Sequence, residues 1–180
     1  MLYRGNNFSD VCIDIFFMNL AENTCLRSLF FNDTKLSDNN LKVIDYMLCK
    51  NTALRELNLS NCSIRDDGLR FITPSLMKNT TIQTLHLFSN PLTEESLFYL
   101  LNVLENFNET LQTVTLYQIN IDEEHLVLQE IKDLLKQNFM GKKRLDQQVR
   151  QKKLDDIFIG DSKDSNKTKS SSEKECNNRD

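Results

Sequence analysis

The sequence predicts an α/β solenoid: short parallel strands inside, helices outside, then a C-terminal helix and a disordered tail. Three observations predict it. The first is a fixed period. LRSLFFNDTKL from Leu26, LRELNLSNCSI from Leu54, IQTLHLFSNPL from Ile82 and LQTVTLYQINI from Leu111 align, their starts differing by 28, 28 and 29 residues (54−26, 82−54, 111−82). The second is a change of pattern inside each unit. In Ala53 to Asn79, Leu54, Leu57 and Leu59 suit a short strand, whereas Leu69, Ile72 and Leu76 have the 3–4 spacing of a helix. The third is that one such unit cannot bury its own apolar residues. Stacked copies can, and four exceed the roughly three that a stacked core needs.

Each element then has its own reason. The leucines of L-x-x-L-x-L point into the solenoid, and the column Thr34, Cys62, Asn90 turns the chain out of the strand. Ser9-Asp10, Ser37-Asp38, Arg65-Asp66, Thr93-Glu94 and Asp122-Glu123 mark helix entries, because Ser, Thr and Asp cap free N–H groups and acids suit the first turn. The acidic doublets Asp66-Asp67, Glu94-Glu95 and Glu123-Glu124 recur at the repeat period, so they read as scaffold rather than as acid/base pairs. Helices are expected over 38–50, 66–78, 94–106 and 123–138, with a kink or early break at Pro74. Asn23-Thr24, Asn51-Thr52 and Asn79-Thr80 close three units and lead to the next strand.

Met1 to Asn23 reads as the back of a further repeat, with Ile13, Phe16 and Leu20 in the helical places of Leu69, Ile72 and Leu76. A chain starting inside a strand with no polar cap suits either a fragment of a longer protein or an end covered by a partner. After Gly141, expected to stop the last helix, KKRLDQQVRQKKLDDIF carries a loose apolar stripe of Leu145, Val149, Leu154, Ile157 and Phe158. The expected division is thus a solenoid over 1–139, a basic amphipathic helix over 140–159 and a disordered polar tail over 160–180.

The L-x-x-L-x-L-x-x-N/C-x-L pattern is the leucine-rich repeat signature. With its long units and helical second halves, the chain resembles the ribonuclease-inhibitor-like class over roughly Leu2 to Asn138. Thr34 and Ile119 depart from the Asn column, and only Gly68 keeps the usual glycine before the helix. The resemblance implies a short curved horseshoe that binds proteins. The class includes soluble inhibitors, innate-immune sensing regions, ciliary proteins and actin-capping relatives.

Composition narrows the function. Of 180 residues, 22 are Lys or Arg and 26 Asp or Glu, for a net charge of −4. Residues 1–140 hold 11 basic and 18 acidic side chains (11−18 = −7), residues 141–160 hold 6 and 3 (+3), and the rest 5 and 5. An acidic solenoid is a poor nucleic-acid binder by itself. Any such role falls to the basic patch Lys142, Lys143, Arg144, Arg150, Lys152 and Lys153. Cys12, Cys25, Cys49, Cys62 and Cys176 form no C-x-x-C or Cys/His spacing and are expected to be reduced thiols, the first four buried. That usage suits a reducing compartment. Asp10 and Asp14 interrupt the first apolar run, so Met1 to Leu20 is not a signal peptide, and nothing approaches the roughly 20 apolar residues of a membrane span.

Strand residues between the buried leucines belong to the concave face. They form three columns: Ser28, Glu56, Thr84 and Thr113; Phe30, Asn58, His86 and Thr115; and Asn32, Ser60, Phe88 and Tyr117. Arg27, Arg55, Gln83 and Gln112 lie on the approach. Aromatics with an Arg rim carry binding energy at protein interfaces. The expected protein-binding set is therefore Arg27, Phe30, Arg55, Glu56, Asn58, His86, Phe88, Thr115 and Tyr117. His86 and His125 sit in no nucleophile, H-E-x-x-H or phosphate-loop motif, so no enzyme, cofactor or metal is expected; Glu56 is the one acid able to serve His86 as a neighbour. The reading is a non-catalytic cytoplasmic scaffold for a protein partner, with no small-molecule substrate and no membrane. The alternatives are a cytoskeletal, actin-associated role, resembling tropomodulin-like proteins in the helix after the repeats, and nuclear or nucleic-acid association through the basic helix.

Overall fold

The computed structural model describes residues 8–119, 121–122 and 124–141. The chain divides into two units, Met1–Phe139 and Met140–Asp180; the basic patch, the stripe from Leu145 to Phe158, the tail and Cys176 lie outside the described residues.

The first unit follows the repeat period. Helix α1 (Asp10–Ala21) precedes β1 (Ser28–Phe30), α2 (Asp38–Lys50), β2 (Glu56–Asn58), α3 (Asp66–Lys78), β3 (Thr84–His86), α4 (Glu94–Asn106) and β4 (Thr113–Thr115). The strands form one parallel sheet in chain order. Leu29, Leu57, Leu85 and Val114 pair across it, so strand register and sequence period are the same quantity. Leu54, Leu57, Leu59, Ile64, Leu69, Ile72 and Leu76 are all buried, as the stacked unit requires. The described part of this unit is an α/β solenoid of stacked strand–helix repeats.

Helices α2, α3 and α4 have the expected bounds. Ser37 and Asn40 form a reciprocal capping box on α2, and the Thr93 hydroxyl accepts from Glu95 N–H at the start of α4. Arg65 supplies no cap, and α3 relies on Asp66 and Asp67 in its first turn.

Four expectations change. Pro74 neither breaks nor ends α3. The amide after it, that of Ser75, is satisfied outside the helix, donating to the Asp45 carboxylate of α2 at 3.0 Å. The last helix occupies 126–141 and begins three residues late, because Glu124 and His125 N–H groups are taken by Asp122 in a turn at 3.1 Å. It is still helical at Gly141. In α1 the fully buried ring is Phe17; Phe16 flanks it, 5.3 Å away edge-on and stacked on Phe31 at 5.6 Å. Finally, Cys12, Cys25 and Cys49 are exposed, and Cys62 is the buried one of the four.

Between repeats, buried asparagines replace the hydrogen bonds that helices and strands leave open. Asn51 donates to the Leu20 and Asn23 carbonyls and accepts from Ala53 and Leu54 N–H. Asn108 does the same with Leu76, Asn79, Thr110 and Leu111. Asn90 accepts from Cys62 and Ile64 N–H and donates to Leu59 and Leu87 carbonyls. The Thr34 hydroxyl in that column is buried without a partner. Asp33, Asn61, Ser89 and Gln118 adopt φ of 60, 52, 56 and 54° at matching places after the four strands, and Ser63 adds a second left-handed residue, φ 60°, after β2.

Candidate functional site: the strand face

The three columns expected from the sequence are adjacent rows on one face of the sheet. Strand pairing fixes the first two, and the ladder runs on through Leu59 N–H to His86 O and Leu87 N–H to Thr115 O, both at 3.0 Å, to carry the third.

His86 is the polar centre. Its Nε2 lies 3.2 Å from Glu56 Oε1 on β2, and its Nδ1 lies 3.1 Å from Thr115 Oγ1 on β4. The Phe30 ring, two strands away, leans over to stack with His86 at 6.5 Å between centroids and 24° between planes. Asn58 lies between them in the register and is covered. Expected in solvent, Asn58 is 8% exposed, and its side-chain Oδ1 accepts from Ser60 N–H at 2.9 Å. Ser60 is likewise buried. Its place in the third column lies beside a second aromatic pair, in which Phe88 and Tyr117 stack at 4.6 Å and 8°, with Tyr117 49% exposed. Asn58 and Ser60, expected to be open, are thus buried beside two ring pairs.

Arg27 and Arg55 do not form a free rim. The Arg27 guanidinium donates to the Thr24 and Ala53 carbonyls at 3.2 and 3.0 Å. Arg55 donates to Thr52, Leu54 and Thr81 carbonyls, each at 3.3 Å. Each guanidinium ties its own strand to the loop that opens the next one. Their role in the fold is direct, whatever else they touch.

Carboxylate, imidazole and hydroxyl in a row resemble a general-base arrangement. Hydrolysis would further need N–H donors aimed at a developing oxyanion. The Leu87 and Ser89 amides beside it donate instead to Thr115 and Tyr117 carbonyls. Among the described residues no group of three or more His, Cys, Asp or Glu could hold a metal. What the face offers is aromatic area with a fixed polar centre.

The acidic doublets are scaffold where they are described. Asp66 accepts from Thr93 N–H and hydroxyl, both at 2.8 Å, and from the Ser96 hydroxyl, so it caps α4 from the preceding repeat. Partial burial works to raise its pKa, but the bonds from Ser96 and Thr93 outweigh this and hold it below the ordinary carboxylate value. Glu94 pairs with His125 at 3.2 Å.

Comparison with known proteins agrees with this geometry. The family model described as Leucine Rich repeat matches residues 50–72 and 78–101. These two segments carry leucine-rich repeats. Each complete unit is a short strand followed by an α-helix. Among solved structures, the chain is similar to Leiomodin-1 Actin-Binding Site 2, at TM-score 0.73 and 20% identity over 86% of this chain and 87% of that one. It is also similar to the tropomodulin C-terminal domain of Caenorhabditis elegans, at TM-score 0.50 and 15% identity over 78% and 98%. No curated protein sequence matches. Sequence reading placed these residues in their rows but missed the burial of Asn58 and Ser60, since the row order does not say that Phe30 and His86, two strands apart, stack across Asn58.

Proposed function

We propose that the chain is a non-catalytic interaction scaffold that takes a protein partner on its strand face. The observation that carries this is the pairing of Phe88 with half-exposed Tyr117 beside the Phe30–His86 pair, a preformed aromatic surface on a rigid sheet. Rigid aromatics lose little side-chain freedom on binding and are the residue types that dominate interfaces. Phe30, Glu56, His86, Phe88, Thr115 and Tyr117 form the contact set. Arg27, Arg55 and Asn58 support it from beneath and beside. No described helix is long and apolar enough to cross a membrane, and we place the scaffold in the cytoplasm.

A second reading is cytoskeletal. It is favoured by the fold likeness to a domain named as an actin-binding site of leiomodin-1. The partner in that case is actin, which cosedimentation tests directly. Association with nucleic acid through Lys142, Lys143, Arg144, Arg150, Lys152 and Lys153 is the weaker reading, because the solenoid itself is acidic.

The test is capture from lysate by the full chain, with and without nuclease, beside a Phe88→Glu/Tyr117→Glu variant of unchanged circular dichroism. The proposal expects partners that survive nuclease and vanish with the variant. Recovery that ignores the variant and collapses with nuclease would move the function to the basic segment.

A further inference from the structure

Helix α1 is apolar on two sides. Ile13, Phe17, Leu20 and Ala21 are buried, while Val11, Ile15 and Met18, spaced four and three residues apart, stand 66, 55 and 53% exposed on the opposite side. A helix apolar all round is ordinarily enclosed. The patch also continues beyond α1. The period of 28 carries Ile15 to Val43 and Phe71 (43−15, 71−43), which are half-buried against the core, and Met18 to Tyr46 and Pro74 (46−18, 74−46), which stand exposed on α2 and α3. Tyr46 is 48% exposed, and the Lys42 ammonium lies 4.8 Å over the Phe71 ring.

The size of the patch fits a partner of the same size. Its four most exposed residues offer on the order of 400 Å², within the range of a functional surface patch. Two such patches with their rims reach about 1,000 Å², where specific interfaces begin.

Charge at the two edges selects the occupant. The first turns of α1, α2 and α3 carry Asp10, Asp38, and Asp66 with Asp67, whereas the last turns of α2 and α3 carry Lys50 and Lys78. A two-fold axis through α2 runs it antiparallel to α2 of a second copy and lays α1 on α3. Lys50 then meets Asp38 of the second copy, and Lys78 meets Asp10. Glu22 meets the like-signed Asp67, whose charge is already paired with Arg70 at 3.3 Å. A surface that is self-complementary in this way needs only itself, as two-fold interfaces do.

We propose that this outer helix face is the interface of a two-fold homodimer, which leaves the strand face free. Sedimentation equilibrium of the full chain from about 1 to about 200 μM tests it. The mass should rise toward twice the monomer. The Ile15→Glu/Tyr46→Glu variant, changed only at exposed positions, should keep its melting temperature and stay monomeric. Lys50→Glu should weaken the dimer roughly tenfold, and Lys50→Glu with Asp38→Lys should restore it. A wild-type chain that stays monomeric throughout overturns the proposal, including one whose helix face captures a different protein. So does a dimer indifferent to the variants.

Discussion

Asn79 shows how much of this fold rests on single amides. Its side chain donates to the Leu48 carbonyl at 2.7 Å and accepts from Thr81 and Ile82 N–H at 2.9 and 2.7 Å. Asn79→Ala leaves these groups unpaired in a buried site and should destabilise the chain by about 2–4 kcal/mol in denaturant unfolding. The recurrence of Asn at this place was legible in the sequence. Its partners were not, because they lie one repeat away. Cys62 illustrates a related limit. Burial pushes its thiol up to about 12, and Sγ donates to the Phe31 and Ser60 carbonyls at 3.3 and 3.4 Å. In native labelling followed by mass spectrometry, Cys12 and Cys25 should react while Cys62 stays protected until unfolding. Only Cys62 has a place in the repeat pattern, and apolar neighbours in sequence did not bury the other three. Asp66 adds a pH dependence. Its folded pKa is depressed, so its stabilisation is present above the unfolded carboxylate value and is lost as pH falls through the folded one. Asp66→Asn should flatten the acid limb of a stability–pH curve.

At the scale of elements, helix bounds were readable where caps were local. Ser37 and Thr93 cap their own helices, and the acids of α3 fill its first turn. The last helix was misplaced because Asp122 forms a turn of its own before the helix begins. Pro74 does not break α3, and the acceptor that takes up the following amide, Asp45, belongs to α2 and so was not legible locally. Gly68 is the third residue of α3, where a Cβ would meet Leu41 Cδ1 at 2.6 Å and Ile64 Cγ2 at 3.2 Å. Gly68→Ala should therefore destabilise by about 1–3 kcal/mol in thermal or denaturant melts, despite the better helix propensity of alanine. The glycine is required by the close approach of α2, which the pattern alone did not state.

For the whole molecule, stability is the sum of stacked neighbours. Leu57→Asp or Leu85→Asp would bury an unpaired charge between repeats and should unfold the solenoid, seen as loss of helical circular dichroism. Stacking was the most legible level of all, since a 28-residue period both predicts the parallel sheet and fixes its register. Beyond the last described asparagine the pattern lapses: Asn138 donates to Asn108 and Leu111 carbonyls at 2.9 and 3.0 Å, as its predecessors do. Yet the positions three, six and eight residues later, leucines after Asn51, are Gly141, Arg144 and Asp146. The site was less legible than the fold, because strand periodicity says which residues face outward and not which of them cover one another.

The most direct measurement places a photo-crosslinking benzoylphenylalanine at position 117 in one sample and at position 18 in another, then irradiates each in lysate. The account predicts a discrete foreign protein joined at 117 and competed away by unlabelled chain, with only the chain itself joined at 18. A foreign adduct at 18 and none at 117 would contradict it and assign partner binding to the helices.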